Sequence, residues 1–75
     1  MTMYLSDYQI NQMALAAVKS YEMTADWKEA RRAAHEFAID DIGVRPNHTA
    51  VLLAVKLAKA KWAATMQRVK QQASA

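Results

Sequence analysis

Apolar and polar residues follow a helical period in three segments of this chain, separated by two breaks. Between Asp7 and Tyr21, the residues Ile10, Met13, Ala14, Ala17, Val18 and Tyr21 recur at spacings that place them on one stripe of a helix. Ser6, followed three positions later by Gln9, has the capping-box arrangement and predicts a helix over 7–21. A second helix is predicted over 25–41, with Trp27, Ala30, Ala34, Phe37, Ala38 and Ile42 on its inner face. Lys28, Glu29, Arg32, Glu36 and Asp40 then turn to water, and Arg32 and Glu36, one turn apart, are expected to pair. Thr24 reads as the cap of this helix, with Asp26 in its first turn, where a carboxylate meets the positive end of the dipole.

Gly43, the single glycine, stands where a helix C-terminus takes a left-handed residue, and Pro46 follows shortly after. Asn47 can cap a third helix, predicted over 48–72, whose apolar face is Val51, Val55, Ala58, Trp62, Thr65, Met66 and Val69. The same helix carries a second apolar row on its other side: Leu53, Leu57, Ala60 and Ala64. Lys56, Lys59 and Lys70 run along one flank of that row, and Lys61 and Arg68 along the other. A helix with two faces to cover implies a partner outside the three-helix unit, so the second row is the expected assembly interface. Tyr8 and Leu15 repeat the feature on the first helix and, with Lys56, Lys59, Lys61 and Arg68, are the candidate contacts to another macromolecule.

Composition reinforces the expectation of assembly. The chain has 75 residues and no cysteine, and sixteen of its apolar residues are alanine. A single domain of this size builds a thin core, which nature usually supports with disulfides, a metal or oligomerisation. Disulfides are excluded, and two histidines, His35 and His48, do not make a ligand cluster. Helix packing and self-association remain, and the expected fold is an all-α, compact three-helix protein forming a homodimer or larger homo-oligomer. The expected domain is single, 1–75, with a frayed tail over 73–75. Met1 to Tyr4 carry no positive charge and no stretch has the length to cross a bilayer, so the expected location is the cytoplasm.

The net charge of +3 conceals a division. Residues 1–46 hold five basic and seven acidic side chains, whereas residues 47–75 hold five basic and none acidic. An anionic partner would be drawn to the second segment. Arg45, Asn47, His48 and Thr49 cluster where the third helix begins, and free backbone N–H groups there favour phosphate. His35 reads as a boundary residue of the second helix, and Asp40 and Asp41 as partners either of Arg45 or of a basic group on a binding partner. A helix-turn-helix reading places Thr49, Ala50, Val51, Leu52 and Leu53 at the start of a recognition helix, where they offer little to base edges. Neither a nucleophile with an adjacent base nor a glycine-rich phosphate loop is evident, so no catalysis and no cofactor are expected.

The stretch Arg32-Ala33-Ala34-His35-Glu36-Phe37-Ala38, with Ile42, Pro46, Lys56-Leu57, Trp62-Ala63 and Arg68, resembles the helical hairpin of phage-encoded sponge proteins that sequester cyclic oligonucleotide defence signals. The resemblance spans about half of the chain, and the proline-to-tryptophan spacing departs from the family's. It implies an all-helical, non-enzymatic protein whose oligomers form ligand pockets between subunits. The functional expectation is therefore a small binding protein, a phage-type accessory factor that blocks a host protein. The alternatives are a sponge for a small anionic nucleotide and a DNA-binding regulator.

Overall fold

The computed structural model describes residues 5–73. Helix α1 spans Asp7–Thr24 and α2 spans Trp27–Phe37, which continues as a π-helical turn, Ala38–Ile42; α3 spans His48–Ala73. No strand occurs among the described residues. The sequence readings for Met1 to Tyr4 and for the end of the tail, 74–75, lie outside the described residues.

Each boundary has a local cause. At the start of α1 the Gln9 N–H donates to the Ser6 hydroxyl at 3.2 Å, and the Ser6 N–H donates to the Gln9 side-chain oxygen at 2.9 Å. This is the expected capping box, which satisfies two otherwise free donors. The end of α1 differs from expectation. Thr24 is its last residue and not the cap of α2, because its hydroxyl donates back to the Ser20 carbonyl at 2.8 Å and so stays within the helix. Asp26, with extended backbone, takes the capping role, its carboxylate accepting from the Lys28 N–H at 2.9 Å. Between them Ala25 has φ 55°, a left-handed conformation that costs a residue with a Cβ roughly 1–2 kcal/mol.

Beyond Phe37 the backbone loosens from α to π. The Gly43 N–H donates to the Ala38 carbonyl five residues back, and the Val44 N–H reaches the same oxygen at 3.0 Å. Gly43 supplies the left-handed φ of 81° that closes this end, as its position predicted. Asn47 caps α3 as expected, accepting from the Ala50 N–H at 2.7 Å.

Tyr21 of α1 meets Trp62 of α3, and the first turn of α1 lies beside Leu53 and Leu57, so α1 and α3 run in the same direction with α2 returning between them. Among the described residues Met13 is the one large side chain that is fully buried; around it lie Ala14, Ala17, Ala30, Ala34, Ala38, Ala54 and Ala58. These small residues let the helices approach closely, and Ile10, Val18, Trp27, Phe37 and Ile42 close the margins. The predicted faces of α1 and α2 therefore match the core. On α3 the match holds for Val51, Val55 and Ala58, extends to Ala50 and Ala54, and then fails: Thr65, Met66 and Val69 are exposed. With 26 residues α3 is about 39 Å long, against roughly 27 Å for the 18 residues of α1. Its last turns therefore project past the other helices, and the molecule measures 52 × 22 × 18 Å.

Candidate functional site

Two concave surfaces flank α3. The larger is an open cleft of about 660 Å³ between α2 and the start of α3. Its α2 wall is Lys28, Arg31, Arg32, His35 and Glu36; its other wall is Pro46, Asn47, His48 and Val51. Helical spacing explains the α2 wall, since residues 28, 31, 32, 35 and 36 are three and four apart and share one face. The α3 wall follows from the Gly43 turn, which brings the chain back so that the capped end of α3 faces α2.

The cleft is cationic. Three permanent positive charges and two imidazoles line it, against one carboxylate. That carboxylate, Glu36, is engaged by Arg32 Nε at 3.3 Å, leaving Lys28 and Arg31 outside the ion pair. Both partners are largely exposed, so the pair contributes roughly 0.3–0.5 kcal/mol and yields readily to a stronger anion. Among the described residues neither imidazole is held by a hydrogen bond to another side chain. Free N–H groups in the first turn of α3 add a positive dipole end at the same wall.

Of the four anion-binding residues expected from the sequence, Asn47 and His48 line the cleft, while Arg45 and Thr49 are exposed outside its lining. His35, read as a boundary residue, is half-buried and lines the cleft as well. The sequence alone does not show the contribution of α2: its pattern turns Lys28 and Arg32 simply to water, whereas the structure places both in the cleft lining. Their spacing was the available signal, but their convergence on His48 depends on how α2 and α3 cross. The pairing of Asp40 or Asp41 with Arg45 does not occur; all three are exposed, whereas Arg32 and Glu36 do form an ion pair. Ala50 and Val51 are buried in the core, so the first turn of α3 has few side chains left for base edges.

The second surface is a groove of about 530 Å³ between α1 and α3, lined by Asp7, Tyr8, Ile10, Asn11, Leu53 and Leu57. It unites two features that the sequence left apart, since Tyr8, at 72% exposure, now stands beside the second apolar row of α3. Leu53 and Leu57 are 45% and 40% exposed, and Ala60 and Ala64 continue the row in the open. Leu15 is exposed but outside the groove lining. Of the basic flanks, Lys56 and Arg68 are exposed and Lys61 is half-buried. Lys59 is exposed too, but its Nζ lies 5.6 Å from the Trp27 ring centre, a cation–π contact that ties α3 to α2. No helix among the described residues is long and apolar enough to cross a membrane, and no group of three or more His, Cys, Asp or Glu is placed to hold a metal. No family model matches the chain, and no curated protein or solved structure is significantly similar to it.

Proposed function

We propose that this protein is a non-catalytic binding protein that captures a small phosphate-bearing ligand in the cleft between α2 and α3. The observation that carries this reading is the convergence of Lys28, Arg31, Arg32, His35 and His48 on one concavity with a single, already paired carboxylate. The cleft volume lies within the roughly 300–1,000 Å³ of small-molecule sites. Arginine suits phosphate because its planar fork donates two parallel hydrogen bonds. Arg31 would supply that fork, Lys28 a point charge, and Asn47 and His48 directional contacts. Four residues of the stretch that resembles phage sponge proteins, Arg32, His35, Glu36 and Pro46, line the cleft, which favours a nucleotide ligand.

Thermal unfolding with a panel of nucleotides, cyclic dinucleotides and cyclic trinucleotides among them, tests the proposal. A ligand at a hundred times its Kd adds about 2.7 kcal/mol, which for a domain of this size raises Tm by roughly 10 °C or more. The Arg31→Ala, Lys28→Ala double variant should keep its fold and lose the shift. An unchanged Tm across the panel at millimolar concentration would overturn the reading.

The outward face of α1 favours a second reading, direct binding to a host protein. Leu15 is exposed there, with Lys56 and Lys61 as charged contacts. On this reading, substituting Leu15 with Asp abolishes capture of the host protein while nucleotide binding stays intact, which a pull-down compared with the thermal assay would separate.

A further inference from the structure

The α1–α3 groove lies away from the cationic cleft and has its own chemistry. We infer that its occupant is a second copy of this chain, whose α3 lies antiparallel along Leu53, Leu57, Ala60 and Ala64. Three observations point to this partner.

The row itself has the period of a helix–helix seam. Its residues are spaced by four, three and four, the alternation by which a helix keeps one line of side chains toward a neighbouring helix. It carries no charge, because Lys56 and Lys61 stand to either side of it.

The order of sizes along the row selects the antiparallel direction. Both large residues come first and both small ones last. Two copies related by a two-fold axis near the middle of the row place Leu53 against Ala64 and Leu57 against Ala60, and each contact occurs twice. Large residues then face small ones and the helices can close together. A parallel pairing would set leucine on leucine at one end and leave alanine facing alanine, with space between, at the other.

Charge complementarity agrees with the same register. Arg68 lies one turn beyond Ala64 and comes level with the first turn of the other copy's α1, where Asp7 lines the groove. Asp7 has no ion-pair partner among the described residues of its own chain. The projecting turns of α3 supply the required reach, since they extend past their own α1 and α2. Tyr8 closes the groove over the docked helix.

The absence of cysteine from the chain allows a direct test of register. With both Leu53→Cys and Ala64→Cys in one chain, mild oxidation should give a covalent dimer. Within a chain these positions are eleven residues, or about 16 Å, apart and cannot bridge. Leu53→Cys alone should remain uncrosslinked, because the antiparallel register holds the two copies of that position equally far apart. Efficient linkage of the single variant would reveal a parallel pairing and overturn the inference. Sedimentation of the unmodified chain provides the second arm: a dimer is expected, and a monomer at all concentrations up to millimolar would overturn the proposal. Asp7→Arg and Arg68→Asp should each weaken the dimer several-fold, and their combination should restore it. Leu57→Asp should give a monomer with unchanged helical circular dichroism, because Leu57 is half-exposed within one copy. Failure of the charge swap to restore dimerisation would exclude this register.

Discussion

The two halves of α3 share one apolar period and meet different fates. From His48 to Trp62 the helix is packed on α1 and α2, with Ala50, Val51, Ala54, Val55 and Ala58 buried. From Ala63 onward Thr65, Met66 and Val69 continue the same stripe, yet Met66 is 38% exposed and Val69 50%. Nothing in the local sequence separates the halves. The difference lies in the partner elements: α1 ends at Thr24 and α2 begins at Trp27, so the inner stripe simply outlasts the surface it was covering. An amphipathic period shows which side of a helix is suited to burial; the lengths of its neighbours decide how much of that side is buried.

The sharpest test of this contrast is to place a carboxylate in each half. Ala54→Asp puts an unpaired charge at a fully buried position and should cost more than about 3 kcal/mol, enough to abolish cooperative unfolding in a small domain. Met66→Asp should change the melting temperature by no more than a few degrees. Comparable losses for the two would mean that the outer half is as covered as the inner one. A smaller effect is expected at the junction. Trp62 meets Tyr21 edge-on, with ring centres 5.2 Å apart, and Trp27 stacks on Tyr21 at 3.9 Å. Trp62→Ala should cost about 2 kcal/mol, less than the roughly 3–5 kcal/mol of a fully buried aromatic because Trp62 is half-exposed. The smallest effect concerns the inner end. Asn47→Ala removes the oxygen that receives the Ala50 N–H and should cost about 1 kcal/mol by denaturant unfolding. A silent result there would mean that packing alone, without its cap, defines the inner half.

These contrasts also explain what could be read from the chain directly. The capping box at Ser6 and Gln9, the left-handed Gly43 and the Asn47 cap are signals contained within a few residues, and each is found where the sequence placed it. The inner faces of α1 and α2 were equally legible, because each has one apolar stripe and one covered side. Thr24 and Asp26 are harder to assign, since both are good caps, and it is the bonds from Thr24 back to Ser20 and from the Lys28 N–H to Asp26 that decide between them. The cationic cleft was legible in part. Asn47 and His48 lie in one local cluster, but Lys28, Arg31 and His35 join them only through the crossing of two helices, a relation that residue spacing along either helix does not contain.

The aromatic cluster has a practical consequence for following this molecule in solution. Both tryptophans of the chain, Trp27 and Trp62, flank Tyr21 at the point where α3 leaves the bundle. Tryptophan emission therefore samples a single location, whereas ellipticity sums over every helical turn, including the projecting ones. Coincident denaturation curves from the two signals would identify α3 as one cooperative unit from end to end. If ellipticity declines before the emission moves, the outer turns unravel on their own, and the interval between the curves measures how independent they are.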